Sequence, residues 1–223
     1  MNKSVNTDLA DMTREELISV NTDLADMTRE ELIAEIGRLR QMTAGKPEKP
    51  IEYVKIAFFS IFAACVYGIA HNLVTAHVCV EYFLPPIHPV IFPTNSPIIL
   101  ALIWGIIATW WVGLLLGILL AAVCRLGQRP KLTVMNIVSP ALLLFVSLYA
   151  ISMLLGVIGY VVGHSGVLAW LVHCDIAPER HARFMFNVVA HDSAYLFGAI
   201  GGIVLMFHLW KKRRTLVEKS DTK

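Results

Sequence analysis

The segment NVVAHDSAYLFGAIGGIVLMFHLW, residues 187–210, decides the fold class of this chain. Its second half is largely apolar, and a helix needs about 20 such residues to cross a hydrocarbon core of roughly 30 Å. Its first half carries the polar side chains of Asn187, His191, Asp192, Ser193 and Tyr195. Ionisable groups inside a membrane normally face the protein interior, because exposing them to lipid costs roughly 2.5–3.5 kcal/mol or more. The segment therefore predicts a membrane helix that borders a polar site.

The composition extends this prediction to the whole chain. Of 223 residues, 56% are hydrophobic and only 16% are charged, whereas soluble domains contain about 25% charged residues. The apolar residues form four runs, at about 53–76, 96–124, 134–163 and 186–210. We predict an all-α, polytopic membrane protein with four transmembrane helices in a bundle spanning 51–214, with tails at 1–50 and 215–223. No basic tract with interleaved aromatic residues is present, so nucleic acid is not an expected partner, whereas membrane lipids are.

The basic residues of the predicted loops are distributed unequally between the two sides of the membrane. One side carries only Arg180 and Arg183; the other carries Lys46, Lys49, Lys55, Arg125, Arg129, Lys131, Lys211, Lys212, Arg213 and Arg214. Short cytoplasmic loops are enriched in Lys and Arg. We therefore expect a multi-pass protein of the cytoplasmic (inner) membrane with both termini cytoplasmic. The loops near 77–95 and 164–185 should face outward.

The amino-terminal tail contains a 15-residue tandem repeat. SVNTDLADMTREELI at residues 4–18 recurs at 19–33, and Thr28 and Glu31 have the spacing of a capping box. The second copy continues into an apolar stripe, which predicts a cytoplasmic amphipathic helix over residues 29–42, followed by a linker. This helix suggests one function: a non-catalytic scaffold or assembly protein that recruits a partner or a second copy through residues 29–42. The alternative is a duplication without a role.

Small residues recur at four-residue steps within the apolar runs. Such rows allow close approach of helix backbones, either inside one bundle or at a dimer face. The rows are Ser60, Ala64 and Gly68; Thr109, Gly113 and Gly117; Gly159 and Gly163; and Gly198 and Gly202.

Two polar stripes lie at similar predicted depth on two helices. His71 lies sixteen residues beyond Lys55, and His191 lies twenty residues before Lys211, which correspond to about 24 Å and 30 Å along a helix. The stripes consist of residues spaced four apart, which share a helix face: Tyr67, His71 and Thr75, and Asn187, His191 and Tyr195. We therefore predict that His71 and His191 approach each other near the outward ends of the first and fourth helices.

This polar region predicts an outward-facing pocket that binds a metal ion or a small ligand. Three interpretations remain open: a hydrogen-bonded network, a transition-metal site, or a haem b held between His71 and His191, as in a membrane redox protein. No sequence motif chooses among them or decides whether the protein is an enzyme. The ligand or metal candidates are His71, His77, Glu81, His191, Asp192 and Tyr195; His77 and Glu81 share a face only if the first helix continues.

Two cysteines lie in the predicted outward loops. Cys79 and Cys174 adjoin the predicted pocket, and an oxidising exterior permits a disulfide between them. The alternative is that Cys79 packs as a small apolar residue and Cys174 is a free thiol.

Several short stretches resemble a group of bacterial four-pass inner-membrane proteins to which no activity is assigned. The resemblance covers about residues 53–212 and leaves the repeated amino terminus outside. It implies four spans and no particular function. The stretches are YGIAH at 67–71, CVEYF at 79–83, HP at 88–89, ATWWVG at 108–113 and AHDSAYLFG at 190–198.

Overall fold

The computed structural model describes residues 28–34, 50–165 and 176–220, and side chains as far as residue 216. Every regular element in these ranges is helical. The main helices are α1 (Ile51–Val78), α2 (Pro97–Ile107), α3 (Trp110–Arg125), α4 (Met135–His164) and α5 (His181–Ser220), with 3₁₀ helices at Val80–Phe83 and Pro178–Arg180.

Four helical stretches among the described residues are long and apolar enough to cross a membrane. They cover Ile51–Val78, Pro97–Arg125, Met135–His164 and Pro178–Leu216. The first three agree with the predicted runs to within a few residues. The fourth extends beyond the predicted apolar run of 186–210 at both ends. It begins with a 3₁₀ turn at Pro178, where the Pro-Glu sequence predicts a helix start, and it continues to Leu216.

The chain divides into two units, an amino-terminal unit of Met1–Lys49 and a second unit of Pro50–Lys223. The described part of the amino-terminal unit is a short helix over residues 29–34. Its start has the predicted capping box: the Glu31 N–H donates to Thr28 Oγ1 at 3.3 Å, and the Thr28 N–H donates to Glu31 Oε2 at 2.8 Å. These bonds lower the pKa of the Glu31 carboxyl. Residues 35–42, the first repeat copy and the linker lie outside the described residues, so the amphipathic helix over 29–42 stays a prediction.

In the second unit, the rows of small residues bring helix backbones into direct contact. A Cβ atom added at Gly68 of α1 would lie 2.5 Å from the carbonyl oxygen of Gly105 in α2, and one added at Gly113 of α3 would lie 2.7 Å from that of Ser60 in α1. One added at Gly159 of α4 would lie 2.7 Å from the Met185 carbonyl oxygen in α5. Accordingly, α1 lies against α2 and α3, α4 lies against α5, and contacts between these two groups are sparser.

The second span is two helices rather than the single helix that the sequence predicts. It is interrupted at Ala108 and Thr109. The Thr109 N–H donates to the carbonyl oxygen of Ile106 at 3.2 Å. This bond joins residues three apart, as in the tighter 3₁₀ helix, and not four apart as in an α-helix. The Thr109 hydroxyl donates to the carbonyl of Gly105 at 2.5 Å, and such a bond back to the preceding turn often bends a helix.

The first helix does not continue far enough to place His77 and Glu81 on one face. It ends at Val78, and Cys79 has an extended backbone with φ −152° and ψ 98°. The chain then folds back over the helix ends, where Ala76, Phe83, Leu100 and Ala101 form a buried cluster. We call this end of the molecule, next to residues 79–96, the loop end.

The opposite end, which we call the basic end, is organised by Arg213 of α5. This side chain is only 3% exposed. Its guanidinium donates to the carbonyls of Pro130, Leu126 and Arg129 at 2.8–2.9 Å, and also to that of Val123. Arg213 therefore satisfies carbonyl groups at the end of α3 and in the turn that follows it.

Candidate functional site

A cavity of about 390 Å³ lies between the two groups of helices, towards the loop end. Residues from all five main helices line it, together with the loop after α1. One part of the wall is aliphatic and includes Val112, Leu116, Leu144 and Leu148; the other is polar and aromatic and includes Tyr67, His71, Asn72, Tyr82, His88, Trp104 and His191.

The structure brings His71 and His191 together at the polar part of this cavity. Their ring centroids are 4.7 Å apart, and the rings meet edge to face at 89°. The His71 ring also stacks on Tyr67 at 5.8 Å. The Tyr67 hydroxyl lies 3.4 Å from Ser152 Oγ and acts as the donor, because Ser152 uses its own proton on the Tyr149 carbonyl.

His71 is the least satisfied polar side chain at the site. It is only 3% exposed, and neither of its ring nitrogens has a hydrogen-bond partner among the described residues. Buried polar atoms are normally paired, and an unpaired one costs about 1–3 kcal/mol. The ring lines the cavity, but both nitrogens have almost no accessible surface, so a molecule bound there would reach them after a small turn of the His71 ring.

His191, in contrast, is held at both ring nitrogens. Nδ1 lies 2.8 Å from the carbonyl oxygen of Asn187, to which it can only donate. Nε2 lies 3.2 Å from Oδ1 of Asn72. A neutral imidazole has one N–H, which Nδ1 carries here, so Nε2 can only accept a hydrogen bond. The Asn72 oxygen cannot donate one. Rotating the Asn72 amide by 180° exchanges its oxygen and nitrogen and places the Nδ2 donor next to Nε2. The Asn72–His191 pair can therefore be fully satisfied as a neutral unit.

Asn187 joins α5 to the end of α1. It is fully buried, and its Nδ2 donates to the carbonyls of Thr75 and Cys79, each at 2.9 Å. Thr75 lies in the last turn of α1, where its carbonyl also accepts from the Cys79 N–H at 3.0 Å, and Cys79 is the residue that caps the helix. Asn187 thus fixes the position of the polar stripe of α1 against that of α5.

The returning loop covers the two histidines with aromatic side chains. The ring of Tyr82 lies 4.6 Å from that of His191, and the ring of His88 lies 4.6 Å from that of Trp104. His88 Nδ1 donates to the carbonyl of Tyr82 at 2.6 Å. Burial lowers the pKa of His88 and raises the pKa of Tyr82, so both side chains are held in their neutral forms. Sequence reasoning missed Asn72, Tyr82, His88 and Trp104 as parts of the site.

Three sequence candidates do not join this cavity. His77 is exposed and its Nδ1 donates to the carbonyl of Leu73 at 2.6 Å. Glu81 forms an ion pair with Arg180, and Asp192 is exposed. The remaining candidate, Tyr195, does line the cavity and is 48% exposed.

No three His, Cys, Asp or Glu side chains converge as a metal-binding group within the described ranges. His71 and His191 touch edge to face, which leaves no gap for a porphyrin between them in this arrangement.

The Cys79 thiol is free and donates to Glu81 Oε2 at 3.3 Å, and burial raises the pKa of the Cys79 thiol. Cys174 lies outside the described residues, so the bridge between them stays a prediction.

The cavity reaches the outer surface of the helices. Trp111 and Leu115 of α3 and Tyr195 of α5 line it and are also 51%, 55% and 48% exposed. It therefore opens sideways between α3 and α5. The other large exposed residues near this opening are hydrophobic, except Asp192, which lies one turn before Tyr195. Comparisons with family models, with curated proteins and with solved structures found no match to this chain.

Proposed function

We propose that this chain is an integral membrane protein that binds a small, lipid-soluble molecule in the cavity between its helices. The polar group of the ligand meets His71. One observation carries the proposal: His71 is 97% buried, lines a cavity of about 390 Å³, and has two ring nitrogens without partners among the described residues. A ligand that bonds to this ring removes a cost of about 1–3 kcal/mol for each unpaired atom.

The shape and lining of the cavity support this proposal. Its volume lies within the range of about 300–1,000 Å³ that small-molecule sites occupy, and such sites combine apolar walls with a few polar groups. The opening beside Trp111 and Tyr195 faces the surface that lipid would contact. A ligand dissolved in the bilayer can therefore enter without crossing water.

We infer an orientation with the basic end in the cytoplasm and the four spans forming a bundle in the inner membrane. The ten-to-two distribution of Lys and Arg supports this orientation. The cavity then lies in the outward half of the bilayer, as predicted for the polar stripes. Domain limits of 1–50, 51–214 and 215–223 follow from the same proposal.

The scaffold alternative depends on the amphipathic helix over residues 29–42 and has no support from a described contact beyond its capping box. A metal site at His71 and His191 needs further ligands, and a haem site needs the two rings to separate. The small-molecule site needs neither change, so we prefer it.

Native mass spectrometry of the protein, purified in mild detergent, tests the proposal. The matched pair of variants is Gly198→Leu and Ile203→Phe, both on α5. A Cβ added at Gly198 meets only Leu148, at 3.7 Å, so the larger side chain can extend into the cavity; Ile203 is 64% exposed. We expect a bound small molecule in the wild type and in Ile203→Phe, and its loss in Gly198→Leu. Equal occupancy in all three proteins would rule out this cavity.

A further inference from the structure

We infer that the ligand is a quinone or quinol: a neutral, planar ring that carries oxygen atoms and a hydrocarbon tail. This inference rests on the proposed function and specifies its ligand. It depends on three properties of the cavity wall: its lack of charge, its aromatic side chains around His71, and its division into a polar and an aliphatic part.

The first property is the absence of charge. No Asp, Glu, Lys or Arg is among the described residues that line the cavity. Glu81 is paired with Arg180. Asp192 is exposed and outside the lining, but its negative charge is near enough to add to the raised pKa of Tyr82. An ionised head group would enter such a site without a counter-ion, which is strongly unfavourable. Fatty acids and phosphorylated lipids, whose negative charge Asp192 would also repel, are therefore poor ligands, and neutral oxygen groups are suitable ones.

The second property is the concentration of rings around the polar end. Tyr82 lies 4.6 Å from His191, Trp104 lies 4.6 Å from His88, and Tyr67 stacks on His71 at 5.8 Å between ring centroids. Aromatic groups attract one another in offset or edge-to-face arrangements. A planar ring can make these contacts with several walls at once, whereas a simple alkyl alcohol offers no ring face.

The third property is the arrangement of hydrogen-bonding groups and aliphatic surface. A neutral His71 offers one N–H donor and one acceptor nitrogen. A quinone oxygen accepts from the N–H, and a quinol hydroxyl can also donate to the other nitrogen. Towards the basic end, Val112, Leu116 and Leu144 form the aliphatic wall that a short hydrocarbon tail would contact. The oxygenated ring and the tail thus match the two parts of the cavity.

Equilibrium binding to the full-length protein, stripped of bound lipid and held in detergent, tests this inference. The probes are a decyl-substituted benzoquinone and its reduced quinol, with n-decanol and decanoic acid as ligands that share the tail. The protein variants are His71→Phe, the cavity-filling Gly198→Leu and the lipid-facing control Ile203→Phe. Binding is measured by calorimetry and by quenching of tryptophan fluorescence, to which Trp104 in the cavity wall contributes.

We expect the quinone or quinol to bind saturably and at least tenfold more tightly than decanol or decanoic acid. His71→Phe and Gly198→Leu should each weaken this binding tenfold or more, while Ile203→Phe leaves it unchanged. If decanol binds as tightly as the ring probes, the ligand class is wrong and the proposed function stands. If decanoic acid binds most tightly, the argument from charge is wrong. If no probe binds and the purified protein also carries no small molecule, both the inference and the proposed function fail.

Discussion

Replacing His71 by phenylalanine should leave the ligand-free protein as stable as the wild type, or make it more stable. His71 is 3% exposed, and both its ring nitrogens lack partners among the described residues. Replacing such a group by an apolar one of similar shape is nearly neutral or stabilising, since each buried unpaired atom costs about 1–3 kcal/mol. Phenylalanine also keeps the ring contacts to Tyr67 and His191.

We therefore expect the free energy of unfolding to change by between zero and about +3 kcal/mol. Most substitutions at buried positions instead destabilise a protein by about 0.5–3 kcal/mol, so the sign of the change is informative. The assay is chemical unfolding in detergent of lipid-stripped wild type and His71→Phe. Ligand at 100 times the wild-type Kd should then stabilise the wild type by about 2.7 kcal/mol and the variant, whose Kd is at least tenfold higher, by no more than about 1.4 kcal/mol.

A loss of more than about 1 kcal/mol in the ligand-free variant would refute this reasoning, because it would mean that the nitrogens of His71 make bonds that stabilise the fold. Equal stabilisation of both proteins by the ligand would also refute it, since the ligand would then not contact His71.

Three further substitutions test other parts of the account. Asn187→Leu removes the Nδ2 donor to two carbonyls at the end of α1 and should lower the free energy of unfolding by about 1–3 kcal/mol. An unchanged thermal unfolding curve would contradict this expected loss of stability. Arg213→Leu leaves four carbonyls without their charged donor and should lower the free energy of unfolding by at least about 2 kcal/mol. The exposed control Lys211→Leu should lower it little. Equal effects of the two substitutions would be inconsistent with the bonds described. The pKa of His88 is lower in the folded protein than in the unfolded chain, so on acidification the unfolded chain binds a proton at His88 first, and the free energy of unfolding should fall as the pH drops below 6.5. His88→Gln should reduce this pH dependence in unfolding curves measured at several pH values. An unaltered dependence would show that His88 does not cause it.

The four spans could be predicted from the sequence because a run of about 20 apolar residues is a strong and local signal. The meeting of His71 and His191 could also be anticipated, since counting residues from the basic end places both at similar depth. That Asp192 directly follows His191 in the sequence does not place it in the cavity wall. Successive residues are about 100° apart around a helix, so Asp192 lies on a different side of α5 from His191, where it is exposed.

The remaining parts of the site depend on tertiary structure that local patterns do not encode. Tyr82 and His88 reach the cavity only because the chain folds back after Val78, and Trp104 faces His88 only because α2 packs closely on α1. The break at Thr109 results from side-chain bonding within an apolar run. Arg213 is one of many basic residues in the sequence, and no sequence pattern separates its buried, bonded role from that of an exposed lysine such as Lys211.

The most direct test of the account is an experimental density map of the protein purified from its native membrane in mild detergent. We predict density for a non-protein molecule in the cavity between α3 and α5, with a polar atom about 2.7–3.2 Å from a ring nitrogen of His71. A well-resolved map in which protein side chains fill this space, or in which His71 bonds to another residue of the chain, would contradict it.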